Sequence, residues 1–282
     1  LIANRIQKIY GIFNGTSNYI LSSMDKNNKN FLDVLNKAKT LGYAETNPAS
    51  DLNGDDVAAK LKILSSLCFN SYLNNNIHVE GIKNIDKEDI DNANKLGYKI
   101  KLLGYAELIN NNIFQRVHPT LIKTSSYVAG IDGVLNAVII DGSPVGQSII
   151  QGEGAGPTAT TSALVSDISS ILRGNIKFPF SISNKKRKKL QFKNISERFF
   201  SAYLRFEVAD KSGVLSNITN IFSKSKVSIK RLIQNPNKKK GTSSIIIVTH
   251  ASKDKSYSKI VNQIDKKNYI IKKSKLIRID DN

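Results

Sequence analysis

The sequence predicts an α+β protein of two domains: a mixed-sheet domain with several helices, then a smaller βαββαβ module. Three observations carry this. Helical periodicity dominates residues 16–70, and strand-like alternation follows at residues 99–141. Residues 176–198 then change in composition, with Pro179, several serines and the run Lys-Lys-Arg-Lys-Lys at 185–189, and read as a linker. Beyond it, strand and helix patterns alternate to the end of a 282-residue chain, long enough for two cores.

In chain order, Ile6, Ile9 and Tyr10 form a short apolar rhythm, and Gly15 suits a turn or a close backbone approach. Thr16 or Ser17 then caps a helix carrying Tyr19, Ile20, Leu21 and Met24. Such a helix start either ends the helix and nothing more, or presents its N–H groups to an anion. A second amphipathic helix, residues 31–41, keeps Phe31, Val34, Leu35 and Ala38 on one face and stops at Gly42. Residues 74–76 are a polar loop, and residues 86–96 read as a helix with solvated charges. Strands follow at 99–106, 113–117 and 134–141. His118-Pro119 marks a strand end, with His118 structural, and residues 141–144 turn the chain. Gly152, Gly154 and Gly156 precede a helix at 160–172. Glycines before a helix can cradle phosphate, but this spacing does not match G-x-G-x-x-G and equally suits a tight turn.

Residues 41–70 hold the candidate chemistry. In a strongly basic chain, Glu45, Asp51, Asp55 and Asp56 fall close together, with Lys60 after them. Thr46-Asn47-Pro48 is loop chemistry. Asp51 or Asn53 would cap a helix whose Val57, Leu61, Leu64 and Cys68 make a buried stripe. Asp56 and Lys60, four apart, share a face. That pair alone is commonly a solvated ion pair. The loop, however, brings further carboxylates towards the same helix start, more than capping needs.

After the linker, residues 199–208 alternate as a strand, Asp210-Lys211-Ser212-Gly213-Val214-Leu215 opens a helix to Phe222, and residues 227–234 and 244–250 are strands around a polar loop. A helix at 254–266 and a strand at 269–279 complete βαββαβ.

Lys and Arg number 42 against 23 Asp and Glu, a formal charge of +19. The lysines are scattered, tryptophan is absent, and aromatics are not interleaved with basic residues, so neither nucleic acid nor a membrane is an expected partner. The single cysteine, Cys68, excludes an internal disulfide and points to a reducing, cytoplasmic setting. His78, His118 and His250 lack metal-ligand spacing, so no metal site is expected. The chain contains no apolar run of membrane-spanning length and no signal peptide. It begins with Leu1 inside an element under way, as a fragment or split chain would.

The order Gly42-Tyr43-Ala44-Glu45, Pro48, Asp51-Leu52-Asn53-Gly54, Asp56-Val57-Ala58, Lys60 resembles the signature of homoserine dehydrogenases, and Gly-Ile-Phe-Asn-Gly-Thr at 11–16 and the glycines at 152–156 recur there too. The resemblance implies NAD(P)H-dependent reduction of aspartate 4-semialdehyde to homoserine in threonine and methionine biosynthesis. It makes Lys60 the acid/base group, with Glu45 and Asp56 binding the substrate amino and hydroxyl groups and Asp51 supporting the lysine. It places Asn14, Gly15, Thr16 and Tyr43 in the substrate pocket, and Gly42, Gly152, Gly154 and Gly156 near NADP or NAD. The helix after those glycines would pack on the cofactor domain. No G-x-G-x-x-G βαβ unit occurs in the chain, so the nucleotide-binding domain would be an N-terminal segment outside it, and the chain alone would be inactive. The tail is similar to ACT domains, which are ferredoxin-like. That implies a small-molecule effector such as threonine near Gly213, and a homo-oligomer, a dimer. The boundaries are 1–175 catalytic, 176–198 linker and 199–282 ACT. The alternative is a truncated, non-catalytic module that senses an amino acid.

Overall fold

The computed structural model describes residues 4–73, 75–175, 184–237 and 239–280. Asn74 and residues 176–183 of the expected linker lie outside them. The chain forms two compact units: Leu1–Pro119 with Thr124–Lys193, and Thr120–Lys123 with Asn194–Asn282.

The first unit opens with strand β1 (Arg5–Ile12), then helices α1 (Gly15–Asn27), α2 (Phe31–Thr40), α3 (Ala49–Asn53) and α4 (Asp55–Phe69). Short strand β2 (His78–Val79), helix α5 (Lys87–Lys95) and the long strands β3 (Tyr98–Ile109) and β4 (Asn112–Lys123) follow. Strands β5 (Leu135–Ser143) and β6 (Gly146–Glu153), helix α6 (Pro157–Leu172) and strand β7 (Gln191–Phe192) complete it. The sheet runs β6-β5-β1-β3-β4, with β2 and β7 adding parallel to β4, so it is mixed as expected. Asn110 and Asn111 turn β3 into β4 at positive φ (46° and 63°), which suits a two-residue hairpin.

Helix α4 packs across β1 and β3, its approach set by Gly104, while Gly11 lets β5 and Phe13 close on β1. A Cβ on Gly104 would meet Phe13 at 2.6 Å and Val57 at 3.1 Å, and one on Gly11 would stand 2.0 Å from the Ala137 carbonyl oxygen. Val57, Leu61 and Phe69 form the buried stripe; Leu64 and Cys68, expected on it, are only half-buried at its flank. Burial pushes the Cys68 thiol up from its ordinary range.

Helix α1 is tied down by a buried lysine. Lys101, 1% exposed, donates to the Ile131 carbonyl (2.5 Å), Asp132 Oδ1 (2.8 Å) and Asn18 Oδ1 (3.2 Å). Burial pulls its pKa below the ordinary lysine value, against the opposing pull of Asp132. Burial would raise the Asp132 carboxyl, but hydrogen bonds from Lys101 and Lys26 outweigh it and hold the group low.

Three local expectations are corrected. His118-Pro119 does not end its strand: β4 continues to Lys123, and Pro119 falls after the point where β2, paired at Arg116 and Val117, has stopped. His118 is buried and accepts from Arg116 Nε at 3.0 Å, a structural role. The charges of α5 are not all solvated, because Asp89 is fully buried in a capping box with Asp86. Helix α6 starts at Pro157, not at Thr160, since proline at the first helical position is pre-set for the helix.

In the second unit, strand β8 (Phe199–Ala209), helix α7 (Val214–Lys224), strands β9 (Ile229–Asn237) and β10 (Thr242–Thr249), the short strand β11 (Ser252–Lys253), helix α8 (Asp254–Ile264) and strand β12 (Ile270–Asp280) follow the expected βαββαβ order. The strands lie in the order β12-β8-β10-β9 and pair antiparallel. Leu204, Phe206, Ile245 and Ile247 face Ile218 and Phe222 of α7 and Ile260 of α8 in the core. Two buried polar contacts fix α8: Tyr257 Oη donates to the Phe200 carbonyl at 2.5 Å, and Arg278 Nε donates to Asp254 Oδ1 at 2.5 Å.

Replacing Gly11 by Ala tests the close packing of the first unit. The new methyl must displace backbone, so an equilibrium urea titration should show a loss of about 2–3 kcal/mol.

Candidate active site

The site forms where the start of α1 meets the α3–α4 junction. Sequence placed the α1 cap at Thr16 or Ser17; the cap is Asn14, whose Oδ1 accepts from the Ser17 N–H at 2.8 Å. The Thr16 hydroxyl instead donates to the Tyr43 carbonyl at 2.7 Å and ties the loop after α2 to α1. The Tyr43 ring packs edge-on to Tyr19, with centroids 4.9 Å apart. Gly15 is a close-approach position, since a Cβ there would stand 2.7 Å from the Val134 carbonyl oxygen.

The acidic helix is not one helix capped by Asp51 or Asn53. Asp51 lies inside α3, and Gly54, at φ 89°, breaks the chain before α4 begins at Asp55. Gly54 holds that left-handed turn against the Val79 and Val117 side chains, where a Cβ would come within 3.1–3.2 Å. The break brings Asp51 and Asp56 to the same amide: Asn14 Nδ2 donates to Asp51 Oδ1 at 2.8 Å and to Asp56 Oδ2 at 2.9 Å.

Lys60 sits one turn along α4. Its Nζ donates to Asp56 Oδ2 at 2.8 Å and to the Phe13 carbonyl at 3.0 Å. An ammonium has three N–H donors, so one is uncommitted among the described residues. The Lys60 side chain is 44% exposed and Asp56 28%, so the group stands at a mouth open to a ligand. The Phe13 carbonyl is a site member that sequence reasoning missed, because a backbone acceptor leaves no residue-type signal.

Other expected site residues share no hydrogen bond with this cluster among the described residues. Glu45 is exposed on the loop between α2 and α3 and makes no hydrogen bond among the described residues. Gly42, just past α2, has nothing within 4 Å of its Cβ direction. Gly152 lies inside β6, and Gly156 precedes α6 at φ 104°; both face open space. A flat ring or a phosphate could therefore approach the backbone at Gly42, Gly152 and Gly156. Gly154 is different: a Cβ there would fall on Asn136 Nδ2, so this glycine answers to packing. Gly213 belongs to the second unit, where it precedes α7 at φ 84°. The loop Asp210–Leu215, with Gln234 and Ile245, lines a cleft of about 350 Å³ beside that helix start. Among the described residues, no three His, Cys, Asp or Glu side chains gather as a metal site, and no helix is long and apolar enough to cross a membrane.

A glycine-broken acidic helix with a half-exposed lysine, beside the capped start of a second helix, makes a candidate acid/base site on an α+β frame. Comparison with known proteins gives the family. The homoserine dehydrogenase family model matches residues 1–169, and an AHAS small subunit-like ACT domain model matches 204–272. The homoserine dehydrogenase of Neisseria gonorrhoeae is 38% identical over 99% of this chain, and that of Helicobacter pylori 37% over all of it; the chain spans 66% of the length of each. Among solved structures, a homoserine dehydrogenase from Thiobacillus denitrificans superposes with a TM-score of 0.91 at 36% identity, covering 100% of this chain and 65% of that one. A hyperthermophilic archaeal homoserine dehydrogenase mutant in complex with NADPH matches 62% of this chain and 50% of that one, at 25% identity and a TM-score of 0.52. The chain belongs to the homoserine dehydrogenase family.

Removing the Thr16 hydroxyl tests the tie between α1 and the loop. Thr16→Val should cost about 1 kcal/mol in thermal or chemical unfolding. Hydrogen exchange should rise at residues 42–46 while the β-sheet amides keep their protection.

Proposed function

We propose that this chain is the substrate-binding and catalytic part of an oxidoreductase that reduces aspartate 4-semialdehyde to homoserine with NADPH or NADH, the nucleotide-binding domain being supplied by a segment N-terminal to it. The observation that carries this is Lys60, held at two of its three donors by Asp56 and the Phe13 carbonyl, with the third free at an open mouth. Family membership supports the reaction class, and the NADPH in the archaeal relative supports the cofactor class.

Bound NAD(P)H supplies hydride to the aldehyde carbon. The work of this chain is done at the oxygen, where negative charge develops as the carbonyl is reduced. The free N–H of Lys60 stabilises that charge and donates the proton. Asp56 holds the ammonium in place and, with Glu45, offers carboxylate to the substrate's amino and hydroxyl groups. Asp51 supports the cluster from α3. Gly15 and Thr16 at the start of α1, with Tyr43 tied to them through the Thr16 hydroxyl, are the further substrate contacts in this reading. Gly42, Gly152 and Gly156 leave room for the nicotinamide and phosphates; Gly154 packs against Asn136.

Helix α6 supports the absent domain. None of its residues is buried, and Leu164, Val165, Ile168, Ile171 and Leu172 are all exposed, Leu172 at 82%. Bare apolar surface on that scale marks an interaction face. We assign it to the nucleotide-binding domain, as a covered face in the whole enzyme. In the second unit, the cleft beside Gly213 fits an amino-acid effector, threonine by preference, shared between copies of an oligomer.

Two experiments test the reading. Joined in frame to a homoserine dehydrogenase nucleotide-binding domain, the chain should oxidise NADPH with aspartate 4-semialdehyde. Lys60→Ala should abolish that turnover with an unchanged melting curve, and retained turnover would remove Lys60 from the mechanism. For the effector, calorimetry with L-threonine should show saturable binding to the chain, lost in Gly213→Val, whose side chain would block the approach to the α7 start. Equal binding by both proteins would place the effector elsewhere.

A further inference from the structure

We infer that Asn14 is a positioning residue, an amide clamp that sets the two aspartates and through them Lys60, and not a substrate ligand; this rests on the reading of Lys60 above. A primary amide has two N–H donors, and both are spent: one on Asp51 Oδ1 at 2.8 Å, one on Asp56 Oδ2 at 2.9 Å. Its oxygen is engaged too, accepting from the Ser17 N–H at 2.8 Å. Asn14 is 5% exposed, so little of it is open to a ligand.

The amide donates to both carboxylates and also accepts from the helix, which lysine or arginine, having no acceptor, could not do. Two carboxylates that share one neighbour repel each other, and donors aimed at both stabilise the ionised pair and fix its geometry. Asp56 Oδ2 is the shared atom, because it accepts from Asn14 and from Lys60 alike. Rotation of the Asp56 carboxylate would therefore carry the ammonium with it. With the clamp closed, Asp51 Oδ2 and Asp56 Oδ1 are left without a hydrogen bond among the described residues. The clamp therefore leaves Asp56 Oδ1 able to accept from the substrate while Oδ2 holds the ammonium.

The capping and clamping roles separate by substitution. Serine and aspartate are both good N-caps, so Asn14→Ser and Asn14→Asp keep α1 capped. Neither keeps the clamp: serine is too short to bridge the carboxylates, and aspartate presents a third negative charge to them. In the chain joined to its nucleotide-binding domain, Asn14→Ser should melt close to the parent, while Asn14→Asp, a buried third carboxylate, should melt lower. The kcat should fall by roughly tenfold to a hundredfold, the scale of lost hydrogen bonds to a charged group. Asn14→Asp should be the more severe, and Asn14→Gln, which retains an amide, should recover part of the loss. If Asn14→Ser keeps kcat and KM within about twofold of the parent, Asn14 is a helix cap only and the inference falls. If Lys60→Ala retains turnover, the underlying reading of the site fails, whatever the Asn14 variants do.

Discussion

One carboxylate oxygen, Asp56 Oδ2, receives hydrogen bonds from two side chains, Asn14 and Lys60. Three elements meet through that atom: the start of α1, the short helix α3 by way of the same amide, and the first turns of α4. The sheet beneath exists, for this site, to hold α1 and α4 at the right separation. Gly104 lets α4 and Phe13 down onto it, Gly11 makes room for Phe13 and the neighbouring strand β5, and buried Lys101 holds α1 through Asn18. A polar cluster at a half-exposed mouth needs such a rigid base, since surface ion pairs alone order little.

Much of this was legible in the sequence because the relevant signals are local. Asp56 and Lys60 are a helix turn apart, and the structure makes them an ion pair. The βαββαβ order of the second unit was legible because each element carries its own period and its own punctuation. Gly42 ends α2 as its position suggests. What could not be read is the bonding of Asn14 to Asp51 and Asp56, 37 and 42 residues away, for which no periodicity exists. The cap was misplaced by two or three positions because Asn, Thr and Ser all stand at the right place to serve, and only the fold decides which side chain is drawn elsewhere. The break at Gly54 was hidden by its surroundings: a polar, acidic stretch reads equally well as a cap and as a helix interrupted.

The apolar pattern of α6 shows a further limit of sequence reading. Periodicity correctly identified a helix, but it cannot say what the apolar residues meet. In the first unit none of them is buried, and no residue of α6 is. That contrasts with α4, of similar length and also apolar on one face, whose Val57 and Leu61 are fully buried. The difference lies in the partner surface, not in the helix.

The left-handed turn at Gly54 also sets a phase. On one continuous helix, Asp51 and Asp56 would point about 140° apart, since five residues turn through about 500°. No single amide could then reach both. The arrangement of the two carboxylates is therefore written as an angle between two helices and not as a spacing along one. Side chains around the junction are free to drift in evolution as long as that angle stands. A gain or loss of one residue between Asp51 and Asp56 is not a small edit, because it rotates one carboxylate by about 100° relative to the other.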